Sequence, residues 1–360
     1  MKHEIIGTMN TFSSFGWTEA NQLAWDSLNA DGLTPARVVA DFGTSLKIAT
    51  PEIITAELSG KLAHYTSREE TPKVGDWVAV AISDNNATIE SVVLRSNEIA
   101  RKVTGKRTLK QTLATNVDIA FVLLALDNDF SVERLNRFLY QLSVNSIEPV
   151  IVLNKADKTD DLQSYIDQLE LLDLPIVVTT ATEGVGIEAI ASHIKPGKTA
   201  ILLGSSGVGK STITNKLLGR EAQATNTIRE SDSTGKHTTV HRELFILPNG
   251  GILIDTPGIR ELQLWGTEED LETNYSDIFE LIAQCKYANC RHTSEQGCAV
   301  NAALADGTLD KKHYANYLKM KQELTKLAEK NTENIRQSKQ RESRKNKARL
   351  SNMFDVGEDY

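Results

Sequence analysis

Between residues 37 and 94 the apolar positions fall in short, β-rich runs at 47–49, 78–82 and 89–94. Turn formers precede two of them, Gly75-Asp76 and Asp84-Asn85-Asn86. Short runs separated by turns predict a small all-β barrel or sandwich. Beyond residue 110 the pattern changes, and apolar runs at 117–126, 150–153, 176–178, 201–203, 244–247 and 252–254 alternate with segments of helical period. Runs that do not alternate with polar residues are strands buried on both faces, so this segment reads as an α/β domain with a mainly parallel sheet. Between its first two strands, Leu135, Phe138, Leu139 and Leu142 form one helical face, with Ser131 placed as its N-cap. After residue 262 strand signals stop, and a last helix carries Tyr317, Met320, Leu324 and Leu327 as an apolar stripe. Residues 1–30 contain Phe15, Trp17 and Trp25 in no clear period, and no element is predicted there. The expected order is an extension (1–30), a barrel (31–100), the α/β domain (101–262), a helical module (263–335) and a tail (336–360).

Composition fits this picture: 40% hydrophobic and 24% charged residues over 360 positions suit a soluble chain of two or three domains. The longest apolar run, 119–126, is far short of the ~20 residues that cross a bilayer. No membrane partner and a cytoplasmic location are expected. Net charge is −8, yet residues 336–349 hold seven basic residues against Glu342 alone, and residues 101–110 hold five with no acid. Either stretch could meet phosphate; the plainer reading is a solvated face or a disordered tail.

Gly204-Ser205-Ser206-Gly207-Val208-Gly209-Lys210-Ser211 matches G-x-x-x-x-G-K-[ST], after an apolar strand and before the helix-compatible run that opens at Thr212. Glycines let backbone N–H groups wrap around phosphate oxygens, Lys210 reaches the outer phosphates, and Ser211 is a ligand for Mg²⁺. Asn154-Lys155-Ala156-Asp157 stands at the carboxyl end of an earlier strand, where open α/β sheets bind ligands. The Asp157 carboxylate there would accept from the ring N–H and exocyclic amine of guanine, a donor pair adenine lacks. Lys155 would lie along the base, and Asn154 would tie this loop to the phosphate loop. Thr180-Ala181 has the form of the loop that backs the base.

Asp255-Thr256-Pro257-Gly258 offers a carboxylate for Mg²⁺, directly or through water, and a Gly258 N–H for the γ-phosphate. Gly235-Lys236-His237-Thr238-Thr239 is where a threonine ordered by Mg²⁺ belongs, either Thr238 or Thr239. Ile259 stands where Ras-like proteins carry a water-orienting glutamine, so slow intrinsic hydrolysis is expected. His237 is the nearest substitute, weighed against a surface histidine in a mobile loop. Together these residues imply a GTP-hydrolysing switch that is circularly permuted, because the base-reading motif precedes the phosphate loop.

All three cysteines fall in Cys285-x4-Cys290-x-His292-x5-Cys298, a Cys₃His set suited to one structural, tetrahedral zinc ion per chain. Taken in order, the Val74-Gly75-Asp76-Trp77-Val78 segment, the nucleotide motifs and this cluster resemble the RsgA family, also called YjeQ or EngC, over nearly the whole chain. The resemblance implies an OB-fold barrel that binds ribosomal RNA, a permuted P-loop GTPase domain and a zinc-binding helical module that also contacts the ribosome. It further implies a late role in maturation of the small ribosomal subunit, which stimulates hydrolysis, with ribosomal RNA and assembly factors as partners. A monomer is expected. Two readings compete: a non-enzymatic RNA-binding module gated by GTP, and an unrelated P-loop ATPase.

Overall fold

The computed structural model describes residues 12–43, 45–65, 70–83, 86–102, 110–127, 129–220, 242–255, 267 and 269–354. The chain forms two compact units, residues 1–101 with 111–263, and residues 102–110 with 264–360.

The first unit opens with helix α1 (Glu19–Asp26), whose start is fixed by a reciprocal cap. Thr18 Oγ1 accepts from the Asn21 amide at 3.2 Å, and Asn21 Oδ1 accepts from the Thr18 amide at 3.0 Å. The aromatic residues around it showed no period because they do not serve the helix. Trp17 meets Trp77 edge-on at 4.6 Å, and Phe12 and Trp25 pack around the pair.

Trp77 belongs to a barrel made of β1 (Thr34–Asp41), β2 (Leu46–Ala49), β3 (Ile53–Leu58), α2 (Gly60–Tyr65), β4 (Trp77–Ser83) and β5 (Asn86–Val92). Pairing runs β1–β2–β3–β5–β4 and returns to β1, with only β3–β5 parallel. Five strands closed in that order, with a helix between β3 and β4, make an OB-like barrel. A register shift between Val38 and Ala40 bends β1, so its first half pairs with β4 while Ala40 and Asp41 reach the next domain. At the turn before β4, Gly75 has φ +96°, and a Cβ there would lie 2.2 Å from the Thr115 carbonyl oxygen. Asp76 next to it is fully buried and paired with Arg95 at 2.8 Å.

The α/β part comprises β6 (Glu98–Lys102), β7 (Lys110–Thr115), β8 (Ile119–Ala125), α3 (Val132–Val144), β9 (Glu148–Asn154), α4 (Leu162–Asp167), β10 (Ile176–Thr179), α5 (Ile187–His193), β11 (Thr199–Leu203), α6 (Lys210–Leu218), β12 (Arg242–Ile246) and β13 (Ile252–Asp255). Strands β10, β9, β8, β11 and β13 are parallel neighbours in that order. The antiparallel strand β12 then joins β13 to barrel strand β1, giving one continuous sheet of eleven strands. The unbroken apolar run of β8 follows from burial on both faces: Ala120, Val122 and Leu124 enter one core, and Phe121, Leu123 and Ala125 the other.

Arg37 fastens this unit together. It is 1% exposed, and its guanidinium donates to the carbonyls of Gly75 (3.2 Å), Phe15 and Asn116 (3.3 Å) and to Thr199 Oγ1 (2.9 Å), over the face of Trp77. Burial lowers its pKa to about 10, while Asp118 and Asp76 pull it upward, so it stays charged at neutral pH. Arg37→Ala removes a buried cation and its donors to the Phe15 and Asn116 carbonyls, and leaves the Gly75 carbonyl with the Asn116 side-chain amide at 3.0 Å. We expect it to cost about 3–5 kcal/mol in chemical denaturation, with Arg37→Lys recovering little because an ammonium lacks the planar fork.

The second unit contains α7 (Ser276–Ala283), α8 (Ala299–Asp306) and α9 (Lys311–Phe354). Its core gathers Ile278, Val300 and the α9 stripe of Tyr317, Met320, Leu324 and Leu327, and the Tyr275 hydroxyl donates to Met320 Sδ at 3.1 Å. Helix α9 runs without a break through Arg336 to Phe354, so the basic stretch continues the helix. No described helix is long and apolar enough to cross a membrane.

Candidate functional site

Strand β11 delivers Gly204 at its carboxyl end, and α6 starts at Lys210 with Gly209 as its N-cap. Gly204, Gly207 and Gly209 all have positive φ, at 146°, 80° and 108°, which curls the intervening backbone into a loop over the helix N-terminus. Lys210 Nζ donates to the Gly204 and Ser205 carbonyls at 2.8 and 2.5 Å. Burial lowers its pKa to about 8, against the opposing pull of Asp255 and Asp129. The ammonium is thus held inside the loop, within electrostatic reach of the buried Asp255 at the end of β13. Val208 is buried, Ser206 is exposed, and Ser211 and Thr212 are half-buried on the first turn of α6.

One side chain joins this loop to two others. Asn154, the last residue of β9, donates through Nδ2 to the Val208 carbonyl at 2.7 Å, while Oδ1 accepts from Thr179 Oγ1 at 2.9 Å and the Ala181 amide at 3.2 Å. The turn after β10 is closed by paired amide–carbonyl bonds between Thr180 and Val185, both 3.2 Å. Lys155 sits in the left-handed region at φ 64° and opens a single 3₁₀ turn, Ala156–Lys158. Its Nζ pairs with Asp127 at 2.8 Å. Asp157 lies on that turn with its side chain about one-third exposed, 3.2 Å from Lys158 Nζ. Asn154, Lys155, Ala156, Asp157, Thr180, Ala181 and the phosphate loop therefore converge at the carboxyl edge of the sheet.

Two features here escape motif reading. Asp127 and Asp129 follow β8 directly, and they contact Lys155 and Ser205 respectively. The available signal was position: carboxylates just past the end of a buried parallel strand, where such sheets place ligands. His237, Thr238, Thr239 and Gly258, together with Gly235, Lys236, Thr256 and Pro257, lie outside the described residues.

In the second unit Cys285, Cys290, His292 and Cys298 each offer a ligand atom, all within 4.8 Å of one another. Cys285 Sγ is 3.9 Å from Cys298 Sγ, and His292 Nδ1 is 3.6 and 3.5 Å from those two sulfurs. A tetrahedron with metal–sulfur bonds of ~2.3 Å and a metal–nitrogen bond of ~2.0 Å has edges of ~3.8 and ~3.5 Å, which these three separations match, so the four residues could hold one metal ion. Glu295 stiffens the ligand loop by accepting from the amides of Arg291 (2.9 Å), Thr293 (2.9 Å) and Ser294 (3.1 Å), and these bonds hold its pKa down at about 2.

A family model described as RsgA GTPase matches residues 92–265, and one described as 50S ribosome-binding GTPase matches residues 199–335. A protein of Opitutus terrae named small ribosomal subunit biogenesis GTPase RsgA is 39% identical over 328 residues, covering 87% of this chain and 89% of its own. Its namesake in Leptospira interrogans is 37% identical over 352 residues, covering 96% and 97%. Among solved structures, YjeQ from Thermotoga maritima superposes with a TM-score of 0.61 at 27% identity, over 81% of this chain and 99% of that one. YloQ, described as a circularly permuted GTPase, gives 0.59 at 24% identity over 83% and 97%, a likeness of fold.

Proposed function

Since the chain belongs to the RsgA GTPase family and is a GTP hydrolase, we propose that it uses GTP to drive late maturation of the small ribosomal subunit, which in turn stimulates hydrolysis. The observation that carries the site reading is the single Asn154 amide bonded to the Val208 carbonyl on one side and to Thr179 and Ala181 on the other. It fixes the base loop, the phosphate loop and the backing loop at one spacing, as a nucleotide spanning them needs.

In this reading Asp157 accepts from guanine, Lys155 lies along the base, and Thr180 and Ala181 back it. The amides of residues 204–209 and the Lys210 ammonium take the phosphates. Burial serves Lys210 here, because a weakly hydrated ammonium gains more from a phosphate than a solvated one does. Ser211 and Asp255 would hold Mg²⁺, Asp255 directly or through water, and the ion would supply positive charge to offset that of the phosphate oxygens. Gly258 and Thr238 or Thr239 are assigned to the γ-phosphate, and His237 to the attacking water. Cys285, Cys290, His292 and Cys298 hold one zinc ion with a structural role, since the four ligands complete its shell. The barrel (31–100) and the zinc module (263–335), which flank the permuted G domain (101–262), are the modules assigned to ribosomal RNA, and the basic stretch from residue 336 follows them. A cytoplasmic monomer with no membrane partner completes the proposal.

Phosphate release from GTP, measured alone and with purified small or large subunits, tests this. Small subunits are expected to raise turnover at least about tenfold and large subunits to leave it unchanged, the gain being one that removal of about 1.4 kcal/mol from the barrier gives. His237→Ala should lose that gain while keeping GDP affinity. Binding of GTP without stimulated turnover would instead support a GTP-gated RNA-binding module.

A further inference from the structure

Strand β8 ends at Ala125, and the chain turns over before Ser131 caps α3 by accepting from the Arg134 amide at 3.2 Å. This turn is tied to the base loop through the Leu126 amide, which donates to the Asn154 carbonyl at 2.8 Å. It is also ordered internally. Asp127 Oδ1 accepts from the Asp129 amide at 2.9 Å, the Phe130 amide donates to the Asp127 carbonyl at 3.1 Å, and Phe130 packs edge-on against Tyr165 at 4.7 Å.

Both carboxylates point into the nucleotide motifs from outside them. Asp127 Oδ2 takes the Lys155 ammonium at 2.8 Å. Asp129 is gripped on both oxygens by Arg134 at 2.8 and 2.9 Å and accepts from the Ser205 hydroxyl of the phosphate loop. A carboxylate beside a phosphate site repels the ligand, and each one here is matched by a cation. For Asp127 partial burial pushes the pKa up, but the Lys155 hydrogen bond, the Asp129 amide and the Lys155 charge outweigh it. For Asp129 the Arg134 hydrogen bond is the main influence holding it down, against partial burial.

Half-exposed ion pairs of this kind add little to folding stability. Their geometric effect is larger. Lys155 leaves the backbone from a left-handed conformation with a long, flexible side chain, and Asp127 fixes where that side chain ends. We propose that Asp127 is a positioning residue for the nucleotide base. It orients the Lys155 stem along the face of the bound purine, and Asp129 locks its turn in place through Arg134 and Ser205. This rests on the guanine-site reading above.

The test uses the full chain and competition of GDP and inosine diphosphate, which lacks the exocyclic amine, against a fluorescent GDP. Asp127→Ala is expected to weaken both diphosphates equally, by about fivefold, the scale of one partly exposed charge pair. Subunit-stimulated kcat at saturating GTP should hold, with the loss in KM. Asp127→Asn keeps the bond from the Asp129 amide and should recover part of the affinity; Asp127→Glu, which restores the charge, should recover more. Asp157→Asn is the control, and it should erase the preference for GDP over inosine diphosphate. If that control behaves so and Asp127→Ala binds both diphosphates like the parent, or loses GDP alone, the positioning role is overturned while the base site stands. A parent chain with no preference for GDP overturns the base site, and the brace with it.

Discussion

Gly209→Ala is expected to abolish measurable GDP binding while leaving the chain folded. A Cβ at this position would stand 2.2 Å from Asn154 Nδ2, and the backbone there has φ +108°, where an L side chain is strained by roughly 1–3 kcal/mol. Asn154 cannot retreat, because Oδ1 is held from behind by Thr179 and Ala181. The loop must yield instead, breaking the bond from Asn154 to the Val208 carbonyl and turning the 204–209 amides away from a common center. Loss of that buried bond costs about 1–3 kcal/mol more, so a total near 4 kcal/mol predicts binding weaker by about a thousandfold. Fluorescent GDP titration measures the loss. The melting temperature should fall by less than about 10 °C, since the lost bond is confined to one loop and the strands that carry it keep their own pairing. Ser206→Ala, at the exposed position of the same loop, is the comparison expected to change little. Binding by Gly209→Ala within threefold of the parent would refute the argument.

The same residues show what a linear reading reaches. Asn154, Gly204 and Lys210 were legible because local rules place them: an apolar run, a strand end and a motif whose glycines have a steric reason. The β8 and α3 elements were legible for the same cause, a hydrophobic period that states which faces are buried. Arg37 was not, since its partners include Thr199, 162 residues away, and nothing near position 37 announces them. Trp17 and Trp25 were opaque because they join the cluster around Trp77 of a barrel strand instead of repeating along a helix, Trp17 lying just before one. The parallel β3–β5 closure and the β12–β1 pairing that fuses barrel to sheet are likewise long-range choices that alternation alone cannot encode. Asp127 and Asp129 were hidden by chemistry: two acids after a strand look like a solvated turn until the cations facing them are placed.

Removal of the metal should unfold the second unit, and Cys298→Ser separates this effect from helix capping. Cys285 follows the C-cap of α7 by one residue, and Cys298 is itself the N-cap of α8, with its sulfur accepting from the Asn301 amide at 3.4 Å. The 284–298 connection holds no regular element, and His292 within it adopts φ 58°. Two ligands at or beside helix ends and two on the loop between them would make a bound ion the clasp between α7 and α8. Structural zinc in such sites contributes apparent energies of about 10–16 kcal/mol near neutral pH, more than the small helical core can replace. Serine is a better N-cap than cysteine, so Cys298→Ser keeps or improves the start of α8 while removing one thiolate. A capping role alone would leave stability unchanged or slightly raised. We expect instead that Cys298→Ser, or strong chelation of the parent, removes one zinc ion per chain by elemental analysis and lowers helical ellipticity. Zinc restored to the parent should reverse the loss. A variant that retained the parent's zinc content and melting profile would leave the cluster without the role assigned to it.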